Sequence, residues 1–69
     1  RAKKAGDALR VYERAIKAYP ELAEAYLGAG IAAQQLKKKA LAKTNFEKFL
    51  SLSPNASEAG RVRVWLKNL

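Results

Sequence analysis

The chain has 69 residues, a length that holds one small domain with an economical core. Hydrophobic residues form 49% of it and charged ones 29%, a globular balance rather than a disordered one. There is no Cys and no His, so disulfides, thiolate metal sites and the commonest general base are all excluded. Neither catalysis nor a metal nor a cofactor is expected from this set of residues.

The charge is lopsided. Residues 1–35 hold six basic and four acidic side chains (net +2), and residues 36–69 hold eight and two (net +6), giving +8 in total. A cationic second half favours acidic partners, whether peptide, nucleic acid or anionic lipid. No apolar run reaches the roughly 20 residues that a membrane span requires. The start at Arg1 and the lack of Met suggest a piece of something longer. The compartment stays open between cytoplasm and periplasm, because a chain without Cys suits both.

Four segments carry the helical apolar period, and none shows sustained strand alternation. The first runs from about Lys4 to Tyr19, with Ala5, Ala8, Leu9, Tyr12, Ala15, Ile16 and Tyr19 on one face. Arg10, Glu13, Arg14 and Lys17 take the other side, and Glu13 with Lys17 has the favourable spacing for an ion pair. Pro20 stops this helix because it lacks an amide proton and restricts Tyr19.

The second segment, about Leu22 to Leu36, presents Leu22, Ala25, Tyr26, Ala29, Gly30, Ala33 and Leu36. Gly28 and Gly30 each cost about 1 kcal/mol in a helix interior, so close approach of another helix should offset them. Lys37, Lys38 and Lys39 form the next turn, where cations suit the negative end of a helix dipole. The third segment, Ala40 to Leu52, turns Ala42, Phe46, Phe49 and Leu50 inward. Asn55 followed by Glu58 reads as a capping box, which would start a fourth helix at Ala56 and carry it to about Asn68. Its stripe is Ala59, Val62, Leu66 and Leu69, flanked by Val64 and Trp65.

Pro20 and Pro54 lie 34 residues apart, and the same shift aligns Ala8 with Ala42, Tyr12 with Phe46, and Ile16 with Leu50. It also aligns Glu13 with Glu47, Glu24 with Glu58, and Ala25 with Ala59. A helix–turn–helix unit of this period, with Tyr26, Ala29, Gly30 and Ala33, then Ala42 and Phe46, then Pro54, resembles the tetratricopeptide repeat. The preceding half-unit reads Ala8, Tyr12 and Pro20. The resemblance implies an all-α, antiparallel helix-turn-helix solenoid of four helices in a single domain. Residues 1–20 would be the second helix of a partial repeat, residues 21–55 a complete repeat, and residues 56–69 a capping helix. Ala29 and Ala33 are smaller than the pattern usually has, and Phe49 is larger, which reads as volume exchanged across the seam. The last helix departs most, with Gly60 and Arg63 where a large aromatic and Leu are usual.

The resemblance also implies a use: a module for protein–protein contact, whose concave groove binds a protein or peptide segment, here an acidic one. Carried over position by position, Glu24, Leu27, Ile31 and Gln34 would line that groove, and Arg61, Trp65 and Asn68 would be added by the capping helix. The carboxylate clamp of chaperone-binding relatives is not expected, since Leu27, Gly28 and Ile31 occupy its slots. Trp65 reads two ways, as a groove contact or as the plug closing the core, and Arg61 and Arg63 as solvated surface or anchors for acids. The three Tyr read as core filler with hydroxyls at the edge.

Two rival functions stand beside the groove. Leu9, Tyr12 and Ile16 could form an open face for self-association, because the helix that should precede them is not in the sequence. Nucleic-acid binding has the charge it needs, with a pI near 10.1 and the Lys37–Lys39 run. It lacks a recognition motif, and its cations are interrupted by Glu.

Overall fold

The computed structural model describes residues 2–69. Four α-helices follow one another: α1 (Ala2–Ala18), α2 (Ala23–Gln35), α3 (Lys39–Leu52) and α4 (Ala59–Lys67), and the described residues contain no strand. Each helix packs on the next in chain order, α1 on α2, α2 on α3 and α3 on α4. Among the described residues no other pair of helices brings Cα atoms within 8 Å. The arrangement is a row.

The small seam of α2 works on both of its sides. Toward α1, Ala29 and Ala32 pack with Leu9, while Ala8, Tyr12 and Ile16 border the same cluster. On the other side, Tyr26 and Ala33 join Ala42, Phe46, Phe49 and Val62 in a second cluster. Gly28 lies under the Tyr12 ring and Gly30 under the Phe46 ring, where an added Cβ would stand only 2.5 Å from Phe46 Cδ1. The helical cost of both glycines is thus offset by an aromatic ring seated on the bare backbone. Ala33 and Phe49 are buried in the same cluster, whereas Ala29 is buried on the α1 side, so the volume exchange expected across one seam does not extend to Ala29.

The turns that end α1 and α3 are copies. Tyr19 N–H donates to Ala15 O, Leu22 N–H to Tyr19 O and Ala25 N–H to Leu22 O, at 2.7, 3.0 and 3.0 Å. The residues 34 further on repeat the set: Ser53 to Phe49, Ala56 to Ser53 and Ala59 to Ala56, at 2.8, 3.2 and 3.0 Å. Each proline carbonyl is also held by a side chain of the following helix. The Tyr26 hydroxyl donates to Pro20 O at 2.7 Å, and the Arg63 guanidinium to Pro54 O at 3.1 Å. Arg63 therefore supplies the donor that Gly60, at the position matching Tyr26, cannot.

This second turn corrects the expected start of α4. The helix begins at Ala59, and Asn55 and Glu58 form no capping box. Glu58 itself is the N-cap residue without a side-chain cap bond, and its carboxylate accepts from Ser57 Oγ instead. The amides of Ala56 and Ala59 already bond to turn carbonyls, so the chain stays in the turn past Asn55.

Other local expectations also shift. Tyr19 is 67% exposed and Leu22 is 40% exposed, so neither is core. Glu13 and Lys17 do not close an ion pair. Among the described residues the one ion pair joins Asp7 and Arg10, both exposed, and such pairs contribute little.

Between α2 and α3, Lys37 adopts a positive φ of 61°. Its N–H donates to Gln34 O and that of Lys38 to Ala33 O, the paired bonds of a Schellman ending. A left-handed conformation costs a non-glycine residue about 1–2 kcal/mol. Lys37→Gly removes that strain but adds freedom to the unfolded chain, so a net gain of about 0.5–1 kcal/mol is expected in urea denaturation. Equal or lower stability of the variant would contradict this account of the turn.

Candidate functional site

Phe46 organises the region between α2 and α4. It is fully buried, with Gly30 under one part of its ring and Trp65 beside it. The Phe46 and Trp65 ring centroids lie 5.5 Å apart with their planes tilted at 41°. The backbones of α2 and α4 stay further apart than those of successive helices, and Phe46 of α3 lies in the cluster that side chains of both helices join.

Leu27 and Ile31 from α2 and Trp65 from α4 all pack, half-buried, against the cluster that contains Phe46. Leu27, Ile31 and Gln34 follow one another at steps of four and three, which sets them on one face of α2. Gln34 and Arg61 are exposed and form no side-chain hydrogen bond or ion pair among the described residues. The five expected groove residues therefore divide by role. Three form an apolar margin around Phe46, and two project polar groups into solvent.

Trp65 packs on Phe46, as its core reading has it, and is half-buried rather than enclosed. Arg63 is occupied by Pro54 O, which leaves Arg61 as the α4 guanidinium without a partner in the fold. Glu24 and Asn68 lie exposed at the two ends of this region. The electrostatics of the two sides differ: residues 21–36 contain Glu21 and Glu24 but no Lys or Arg, while α4 carries Arg61, Arg63 and Lys67.

The structure places Leu9, Tyr12 and Ile16 against α2 rather than on an open face. Leu9 is buried with Ala29 and Ala32, Tyr12 covers Gly28, and Ile16 touches both clusters. The helix after them covers what was expected to be open. The side of α1 that faces solvent holds Val11, 61% exposed, and Tyr19.

One concave feature was not foreseen. Ala18, Tyr19, Pro20, Glu21 and Leu22 line an open depression at the α1–α2 turn, away from Phe46. Two large apolar residues flanking a proline in a polar loop were the signal for it. The Lys37–Lys39 side chains are exposed at the opposite turn and form no patch with Arg61 by contact. No helix is long and apolar enough to cross a membrane, and no group of acidic residues among those described could hold a metal ion.

No family model, curated protein or solved structure matches this chain.

Proposed function

We propose that the chain is a non-catalytic helical module of the tetratricopeptide type that binds a segment of another protein between α2 and α4. The observation that carries this reading is the half-buried trio Leu27, Ile31 and Trp65, drawn from two helices and packed against one cluster that contains Phe46. Apolar side chains at the margin of a rigid core lose little conformational freedom on binding, and Trp is enriched among binding hot spots. Arg61 and Gln34 add donors that fix orientation, with Arg61 suited to a carboxylate of the bound segment. The duplicated turns and the two ring-on-glycine contacts support the repeat assignment.

Selection from a displayed library of random peptides provides the test. Enriched peptides should combine apolar anchors with acidic residues, and Arg61→Glu should weaken them at least about tenfold, a loss near 1.4 kcal/mol. Arg61 is exposed and forms no side-chain hydrogen bond or ion pair among the described residues, so the variant should melt with the parent. Selected peptides that bind Arg61→Glu equally well would refute the groove. Retention of random DNA that falls steeply with added salt, without any enriched peptide, would favour nucleic acid instead.

A further inference from the structure

The 34-residue duplication supplies an internal control for the turn that ends α1. The turns at Pro20 and Pro54 close by the same three backbone hydrogen bonds, and each proline carbonyl is held by a side chain of the following helix. The second turn does this with Ser53, Asn55 and Ala56, all small and uncharged, where the first has Tyr19, Glu21 and Leu22. The backbone of the turn therefore requires neither an aromatic ring nor a carboxylate nor a large apolar side chain. The core does not use them either, since all three are exposed.

These three side chains, with Ala18 and Pro20, line the open depression, whose volume is about 700 Å³. That is space for a few side chains of an extended segment. The Tyr26 hydroxyl pins the turn through Pro20 O, so little ordering is needed when the depression is filled.

The lining has the chemistry of a cation site. The stretch Ala18–Leu36 contains Glu21 and Glu24 and none of the fourteen Lys and Arg of the chain. The Glu21 carboxylate and the Tyr19 hydroxyl form no side-chain hydrogen bond or ion pair among the described residues. Lys17, the nearest cation in sequence, is not part of the lining and does not pair with Glu21. A tyrosine face attracts a guanidinium, a free carboxylate accepts two N–H bonds from it, and an apolar margin takes its stem. An ammonium has no flat face to stack and no fork to match the carboxylate.

We propose that this depression docks an arginine-bearing segment of a partner protein, with the guanidinium on Tyr19 and Glu21 and flanking apolar side chains against Pro20 and Leu22. Charge disfavours two other occupants. A second copy of the chain would bring +8 toward +8, and a phosphate backbone would meet Glu21. The site is separate from the groove beside Trp65.

The probe is the peptide acetyl-Leu-Arg-Leu-amide, titrated into the isotope-labelled full chain and followed by amide and Tyr ring chemical shifts. So small a contact should saturate with a dissociation constant on the order of 1 mM, with the shifts centred on residues 18–22. Replacing the arginine of the probe by citrulline, its uncharged isostere, should weaken binding at least about fivefold, and so should Glu21→Gln in the chain. The triple variant Tyr19→Ser, Glu21→Asn, Leu22→Ala gives the first turn the residues of the second, so it should keep the fold and lose the site. Unchanged affinity in Glu21→Gln, or equal binding of the citrulline peptide, overturns the proposal. So does a titration that shows no saturation below about 10 mM probe. Shifts spread equally over Asp7, Glu13, Glu47 and Glu58 would mean adventitious pairing with carboxylates and would refute the site. Shifts at residues 18–22 that depend on chain concentration without any probe would assign the depression to a second copy and refute the partner.

Discussion

Phe46→Ala is expected to leave the chain without a cooperative thermal transition near room temperature. Truncating a buried Phe costs about 3–5 kcal/mol, the lost transfer energy adding to that of the cavity. A domain of this length has a total stability of roughly 3–10 kcal/mol at the usual 0.05–0.15 kcal/mol per residue. The loss is therefore comparable with the whole. The position is also exacting, because the ring packs on Gly30 of α2 and on Trp65 of α4. In a domain of this size each kcal/mol shifts the midpoint by about 4–8 °C, so a fall of at least about 12 °C follows if a transition survives.

Trp65 is the single Trp, which makes its emission a local report on the same event. Tyr12→Ala provides the contrast. Its ring occupies the matching position on α1 but is only half-buried, so its loss should cost clearly less than that of Phe46. A Phe46→Ala variant melting within a few degrees of the parent would contradict the central place of this ring in the core.

The four helices were legible because the apolar period and the two prolines are local signals. Ala8, Tyr12 and Pro20 against Ala42, Phe46 and Pro54 also disclosed the duplication before any contact was known. What the pattern left out were choices made by tertiary structure. Asn55 and Glu58 carry a capping signal, but the amides of Ala56 and Ala59 bond within the repeated turn and delay α4. The apolar residues of α1 cover more than one face, and periodicity does not tell which of them α2 will cover. Leu9, Tyr12 and Ile16 went inward, and Val11 and Tyr19 stayed outside. Lys37 gave no warning of its left-handed backbone, since Gly or Asn is the usual occupant of that position. The placement of Leu27, Ile31 and Gln34 on one face of α2 was legible from their spacing, while the packing of Trp65 depended on where Phe46 lies.

Gly30→Ala should destabilise the chain by about 1–2 kcal/mol even though alanine is the better helix former. The propensity gain is about 1 kcal/mol at a helix interior. Against it stands a methyl group 2.5 Å from two carbons of the Phe46 ring, well inside contact distance. Phe46 is fully buried with Trp65 alongside, so the ring has no space into which to retreat. Overpacking of this kind costs typically about 1–3 kcal/mol, and here it outweighs propensity. At Gly28 an added Cβ would stand even closer, 2.3 Å from Tyr12 Cζ, but that ring is only half-buried and can shift toward solvent. Gly28→Ala should accordingly lie closer to the parent. Gly6 has nothing within 4 Å of an added Cβ, so Gly6→Ala should show the helical gain with no steric opposition. Urea denaturation of the three variants should give the order Gly6→Ala, then Gly28→Ala, then Gly30→Ala, from most to least stable. Combining Gly30→Ala with Phe46→Leu should cost less than the two single losses added together, because the shorter side chain vacates the space the methyl needs. Strict additivity of the pair would show that Gly30 and Phe46 are not in contact, and the packing derived for the α2–α3 seam would be wrong.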